Sequence, residues 1–211
     1  MHDGKIVTAR PDEMWAIDGT SCMTDHCTSE CHGACAAKSG TRHEAIDTLR
    51  QAIRVTRGTF DRDVAAGVAL RHDRASQFIS HAFQDESRFV GIRSSPSIAR
   101  RPEGNGCVER FTRTLKEQLL WLTRFASVEE LHAALQEFAD RFNNLLMLRR
   151  LGCKTPAKHR RNFLVEAARF IQTLVSTMES CTEHTYLPKY PYTPSHQFLK
   201  FFCPRTVQIS K

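Results

Sequence analysis

No stretch of this 211-residue chain is apolar for long enough to cross a bilayer. Its opening residues, MHDGKIVTARPDEMW, are charged and lack an apolar run. Membrane insertion and export are not expected, and the chain reads as cytoplasmic or DNA-associated. Acid is in deficit: 23 Asp and Glu stand against 30 Lys and Arg, a formal net charge of +7 and a pI of about 9.1. Such an excess suits a polyanionic partner, usually DNA or RNA, although a merely basic surface would also produce it. Internal repeats are lacking. So is the Cys-x-x-Cys knuckle that structural zinc sites favour, despite eight cysteines. Their irregular spacing without an export signal predicts reduced thiols. Cys22, Cys27, Cys31 and Cys35 lie close to His26 and His32 and could hold zinc. The even spacing of Cys27, Cys31 and Cys35 equally fits small core residues on one face of a strand.

What is present is globular material, 41% hydrophobic and 25% charged, enough for a folded core. Residues 1–13 read as a polar linker. MWAIDGT (14–20) predicts a strand ending at Gly19, and GVALRHD (67–73) a second strand ending on an acid. TRHE (41–44) is a capping box opening a helix with Ala45, Leu49, Ala52, Ile53 and Val55 inward. SQFISHAFQDESRFV (76–90) reads as one helix and GIRSS (91–95) as a short strand. EGNGCVERF (103–111) closes a Pro-, Gly- and Arg-rich loop into a helix carrying Val108, Phe111, Leu115, Leu119 and Leu122. SVEE (127–130) caps another helix, and residues 162–178 suit one more amphipathic helix. Beyond Ser180 no periodicity is visible, and a poorly ordered tail is expected. The order of elements predicts an α/β fold with a small mixed sheet flanked by helices.

Three acids stand out by position. Asp18 and Asp73 end strands, Glu109 opens a helix, and residues 74–108, 35 in number, separate the last two. Singly, each reads as a turn, cap or helix-dipole residue. If the strands are neighbours and the helix packs on their sheet, the carboxylates converge. They then need a counter-charge, which a hard cation such as Mg²⁺ supplies. Two such ions about 3.5–4 Å apart stabilise both the entering and the leaving oxygen of phosphoryl transfer.

Four segments carry a resemblance: RPDEMWAIDGT, RHDRASQF, GIRSSPSIARRPEGNGCVERFTRTLKEQLLW and TPAKHRR. Together they resemble insertion-sequence transposases whose core is similar to retroviral integrases, with a signature of Asp, Asp, 35 residues, Glu. The likeness runs from about residue 2 to residue 161 and is most specific over 71–122. It implies a ribonuclease-H-like fold, Mg²⁺ or Mn²⁺ as cofactor, and DNA strand cleavage and joining. It assigns Asp18, Asp73 and Glu109 as catalytic metal ligands. Arg113 and Lys116, four and seven residues after Glu109, would face DNA, unless that face is simply salt-bridged. The arginines of IARRPEGNG, Arg100 and Arg101, are further DNA-contact candidates. The implied domains are a linker (1–13), an integrase-like core (14–161), and a helix with its tail (162–211).

The chain also departs from that family. Little more than Met23 and Thr24 stands where the family has a full apolar strand, the middle one of an antiparallel meander. The first hairpin is expected to be shortened, and Asp18 either loses its pairing partner or relies on one improvised from residues 20–36. Ala75 occupies a place where the family often has Gly, which would strain a backbone needing positive φ. Two functions follow. One is a metal-dependent polynucleotidyl transferase acting on DNA, whose strand transfer in this copy is expected to be weak or lost because of the shortened hairpin after Asp18. The other is a non-catalytic DNA-binding remnant that joins the oligomer of itself or of a full-length transposase.

Overall fold

The computed structural model describes residues 6–36, 40–97 and 106–182, with side chains as far as residue 177. Five strands form one mixed sheet: β1 (Met14–Asp18), β2 (Cys22–Asp25), β3 (Cys31–Ala34), β4 (Ala69–His72) and β5 (Arg93–Pro96). Their order is β3-β2-β1-β4-β5, with β1, β2 and β3 antiparallel and β4 and β5 parallel to β1. Six α-helices accompany them: α1 (Arg42–Arg57), α2 (Ser76–Ile79), α3 (His81–Phe89), α4 (Gly106–Leu115), α5 (Val128–Asn144) and α6 (Pro156–Thr182). Residues up to Arg169 form one compact unit and those from Phe170 a second. The expected α/β class is the one found. The expected boundary after residue 161 falls inside α6, and the expected tail lies mostly outside the described residues.

Helices cover both faces of the sheet. On one, Trp15, Ile17, Met23 and Leu70 pack with Leu49 and Ile53 of α1, Phe78 of α2 and Phe83 of α3. On the other, Cys22, Cys31 and Ala34 pack with Phe111 and Leu115 of α4 and with Leu135, Phe138 and Phe142 of α5. Double coverage explains why MWAID reads as an unbroken apolar run: Trp15, Ala16 and Ile17 are all fully buried. Gly33 lets α1 lie close on β3, because a Cβ there would come within 2.9 Å of the Thr48 carbonyl oxygen.

The capping boxes form as expected. The Thr41 amide donates to Glu44 Oε2 at 2.7 Å, and Ser127 Oγ accepts from the Glu130 amide at 3.1 Å. Other expectations need correction. Val55 is 66% exposed, since two residues after the buried Ile53 it points the opposite way round the helix. Ser80 splits the predicted 76–90 helix into α2 and α3, with extended backbone and its Oγ capping Phe83. α4 widens into a π-helical turn at Lys116–Leu120, leaving Leu122 75% exposed.

The meander takes the second of its two expected forms, a short pairing strand made within residues 20–36. Its middle strand exists: β2 pairs along all four of its residues with β1, from Trp15↔Asp25 to Asp18↔Cys22. Ser21, at φ 53°, closes the hairpin, and its amide donates to the Asp18 carbonyl at 3.0 Å. At the far end Asp25 Oδ1 accepts from the amides of Cys27 and Thr28, turning DHCTSE sharply into β3. Cys27 therefore sits in a turn and not on a strand face. Ala75 carries no strain either, at φ −63°.

The segment before β1 is held by a buried polar knot. Asp12 accepts from Arg160 of α6 at 3.2 and 2.6 Å and from Trp15 Nε1 at 3.0 Å, and Arg57 stands 3.3 Å away. His32 Nε2 lies beside it, 3.7 Å from Asp12 Oδ1, buried and without a hydrogen-bond partner. Burial, reinforced by Arg160, pushes the His32 imidazole down to about 3. The unfolded chain thus takes up a proton below pH 6.5 that the folded chain refuses until about pH 3. Stability attributable to His32 is whole above pH 6.5 and declines through that window by roughly 1 kcal/mol per pH unit. Urea unfolding of His32→Phe at pH 7 and pH 5 should show a smaller loss on acidification than the parent chain. An equal loss would rule His32 out as the cause.

Candidate functional site

Strand register places the first two acids. β1 and β4 pair in parallel, Met14↔Ala69, Trp15↔Leu70 and Ala16↔Arg71. Two residues further along each strand, Asp18 meets the level of Asp73. Adjacent parallel strands carry residues of equal register on the same face, so both acids stand at the C-terminal edge of one sheet face. α4 lies over β1 and β2 on that face and brings Glu109 in its first turn.

Local hydrogen bonds orient the two aspartates. Asp18 Oδ1 accepts from the Gly19 amide at 2.8 Å, and Oδ2 accepts from Thr112 Oγ1 at 3.2 Å. Thr112 in turn meets Thr20 Oγ1 at 3.1 Å, linking the hairpin turn to α4. Asp73 Oδ1 accepts from the Ala75 amide at 2.9 Å. Behind it, the buried His72 ring bonds the Asp73 carbonyl through Nδ1 and Ser94 Oγ at 2.8 Å through Nε2. Thr112 escaped the sequence reading, although its place three residues after Glu109 is a helical neighbour's spacing.

Glu109 and Asp18 come together. Partial burial first, and then the Asp18 charge, hold the Glu109 carboxyl above its usual range. The Asp73 carboxylate takes the amide of Ala75, two residues on. Among the described residues the one cluster of three potential ligands within 4.8 Å of one another is Asp12, Asp25 and His32, not these three acids. That cluster is already neutralised: Arg160, Arg57 and Trp15 occupy Asp12, and three backbone amides occupy Asp25. Among the described residues the cysteines form no such cluster.

The Asp18–Asp73–Glu109 set fits a hard divalent cation in chemistry. It offers oxygen donors alone, at least two of the carboxylates repel each other, and each aspartate oxygen that takes a hydrogen bond keeps a further lone pair. Of the DNA-contact candidates, Arg113 is exposed and ion-paired to Glu117 at 3.1 Å. Lys116 begins the π-turn, half-buried. Arg100 and Arg101 lie outside the described residues.

Known proteins resemble this chain in sequence over one stretch and in fold over most of its length. A family model described as an integrase core domain matches residues 90–156, the span holding Glu109, α4 and α5. Among solved structures, the catalytic core domain of BIV integrase shares 20% identity with a TM-score of 0.54, covering 75% of this chain and 99% of that one. The HTLV-2 integrase catalytic core domain, solved in complex with magnesium, shares 17% identity with a TM-score of 0.51, covering 73% and 99%. A chain of the simian T-cell lymphotropic virus intasome in complex with PP2A regulatory subunit B56 gamma shares 19% identity with a TM-score of 0.57. The match covers 98% of this chain but only 63% of that one. At these identities the structural likeness establishes the fold, which is ribonuclease-H-like. No curated protein matches this chain in sequence. Among the described residues no helix is long and apolar enough to cross a membrane.

Proposed function

We propose that this chain, a transposase/integrase-type core, cleaves and joins DNA strands with Asp18, Asp73 and Glu109 as its catalytic carboxylates. The register that sets Asp18 level with Asp73, beneath an α4 that carries Glu109, is the observation supporting the reading. The three residues would hold Mg²⁺ or Mn²⁺, two ions in the active form. When bound, such ions stabilise the attacking and departing oxygens of phosphoryl transfer. The chain's own groups do the rest. Thr112 and the Gly19 amide aim Asp18, the Ala75 amide aims Asp73, and α4 holds Glu109 rigidly. Arg113, exposed on α4, and Lys116, half-buried at the start of the π-turn, would meet phosphates, and Arg100 and Arg101 would add to them. The same reading places the protein with DNA in the cytoplasm, alone or in assemblies with itself or a longer relative.

One observation favours the second reading, a non-catalytic DNA-binding remnant: the three carboxylates do not share a 4.8 Å cluster. An assay on short duplex ends separates the two. With Mg²⁺ or Mn²⁺ supplied, the chain should produce nicked and joined strands, and chelation should stop it. Salt-sensitive DNA binding with no product under either ion would leave the remnant reading standing and end the catalytic one.

A further inference from the structure

The carboxylates occupy one end of the sheet face beneath α4, and the opposite end of that face is basic. Asp18, Ala16 and Met14 alternate down β1 on this face, with Cys22 and Thr24 of β2 opposite the first two and Arg71 of β4 beside Ala16. His26 continues the series, since its amide donates to the Met14 carbonyl at 2.8 Å. There a cavity of about 450 Å³ opens, bounded by His26, Ser29, Gly106, Cys107, Arg110 and Arg150.

Several observations make this cavity a seat for an anion. Arg150 is fixed in place, donating from Nε to Ser29 Oγ at 2.7 Å and from Nη2 to the His26 and Cys27 carbonyls at 2.9 and 3.0 Å. Its Nη1 has no partner among the described residues. Arg110 is exposed and unpaired there too. His26 is only 8% exposed, yet neither ring nitrogen is hydrogen-bonded among the described residues. Burial, with Arg150 and Arg71 nearby, holds its imidazole below the usual range. The first amides of α4, starting at Gly106, add the positive end of a ten-residue helix. Among the described residues no carboxylate lines the cavity: Asp25, next to His26, is spent on backbone amides, Glu30, next to Ser29, faces Arg160, and Glu109 lies round the helix toward Asp18.

We infer that this cavity binds a phosphate of the DNA strand whose reacting phosphate lies at the carboxylates. The inference rests on the proposed function for the identity of the polymer. Met14 and Asp18 are four residues apart along β1, about 13 Å at the rise of a strand. Measured along the axis of a duplex, that distance matches roughly four nucleotide steps at about 3.4 Å each. Arg71 stands on the same face in between, its Nε buried and without a hydrogen-bond partner.

The test uses the full chain with two probes, inorganic phosphate and a short DNA duplex. Alkylation of Cys107 is followed by peptide mass spectrometry, and the His26 imidazole by NMR. Both probes should slow Cys107 alkylation and shift the His26 resonances, while exposed Cys153 reacts unchanged with phosphate. Arg110→Glu, with an unaltered circular dichroism spectrum, should abolish the phosphate effects. It should also lower the slope of log affinity against log salt for the duplex by about one. Phosphate that leaves both Cys107 and His26 unaffected would refute an anion site. A response to phosphate with none to duplex would overturn its assignment to nucleic acid. Protection by duplex in a chain that performs no strand transfer would support the cavity and remove the catalytic reading alone.

Discussion

Glu109→Gln should abolish strand transfer, with a rate loss of at least about 10²–10³-fold, while DNA affinity and thermal stability stay near those of the parent. Glutamine keeps the size of the side chain and the helix but removes the charge that a divalent cation requires. Asp18→Asn should cost as much, and the double variant little more than either single one, because groups that act as one unit do not add. The pH profile supplies a second readout. A carboxylate ligates a cation only when ionised, and burial and Asp18 raise the Glu109 carboxyl above its ordinary range. At limiting metal, where the cation must compete with protons for the free site, the acid limb of activity should therefore fall at higher pH than a free glutamate would give, and Asp18→Asn should shift apo Glu109, followed by NMR, downward. Turnover that survives Glu109→Gln would remove Glu109 from the chemistry. An unmoved Glu109 titration would remove Asp18 from its neighbourhood.

Arg160→Met should be the most destabilising single change in the polar interior, by roughly 3–5 kcal/mol. It leaves Asp12, whose side chain is 14% exposed, without its two shortest ion-pair contacts and strands Glu30 nearby. For a domain of this size that is a fall in melting temperature on the order of 10 °C. Burial alone would raise the Asp12 carboxyl, but the hydrogen bonds and charge of Arg160, with Arg57 and His32, outweigh it and hold it below the usual range. A lowered carboxyl pKa contributes stability present above its unfolded value near 4, lost as pH falls through the folded value. The penalty of Arg160→Met should thus be full at pH 7 and shrink in acid. Asp12→Asn combined with Arg160→Met should recover part of the loss, since Asp12 then no longer carries an uncompensated charge. A loss of under 1 kcal/mol at pH 7, or a double variant no better than the single, would show the pair to be structurally idle.

The two predictions draw on different parts of the chain, and those parts differ in how far local sequence reveals them. The helices carrying the second core, α4 and α5, follow from apolar spacing and a capping box, since both signals act within a few residues. The acids Asp18, Asp73 and Glu109 were legible for a similar reason: each sits at an element's end, and strand and helix ends are marked by local chemistry. The middle strand β2 was legible only as a weak strand somewhere within residues 20–36. Its four residues, CMTD, are buried on both sides, so no alternation of apolar and polar residues survives to mark it. Pairing with β1 and the Asp25 turn decide it instead.

The amino-acid sequence by itself determined the fold class, the basic balance and which acids stand at the ends of elements. Those depend on composition and on periodicities of two and of three to four residues. Tertiary structure alone decided that Asp18 keeps a paired strand, that Thr112 reaches it across 94 positions, and that Arg160 closes on Asp12 from 148 positions away. It also decided that His26, Arg110 and Arg150 line one cavity. The physical reason is common to all four. Hydrogen bonds, ion pairs and cavities depend on distances of a few ångströms between residues remote in sequence, and no local pattern encodes such distances.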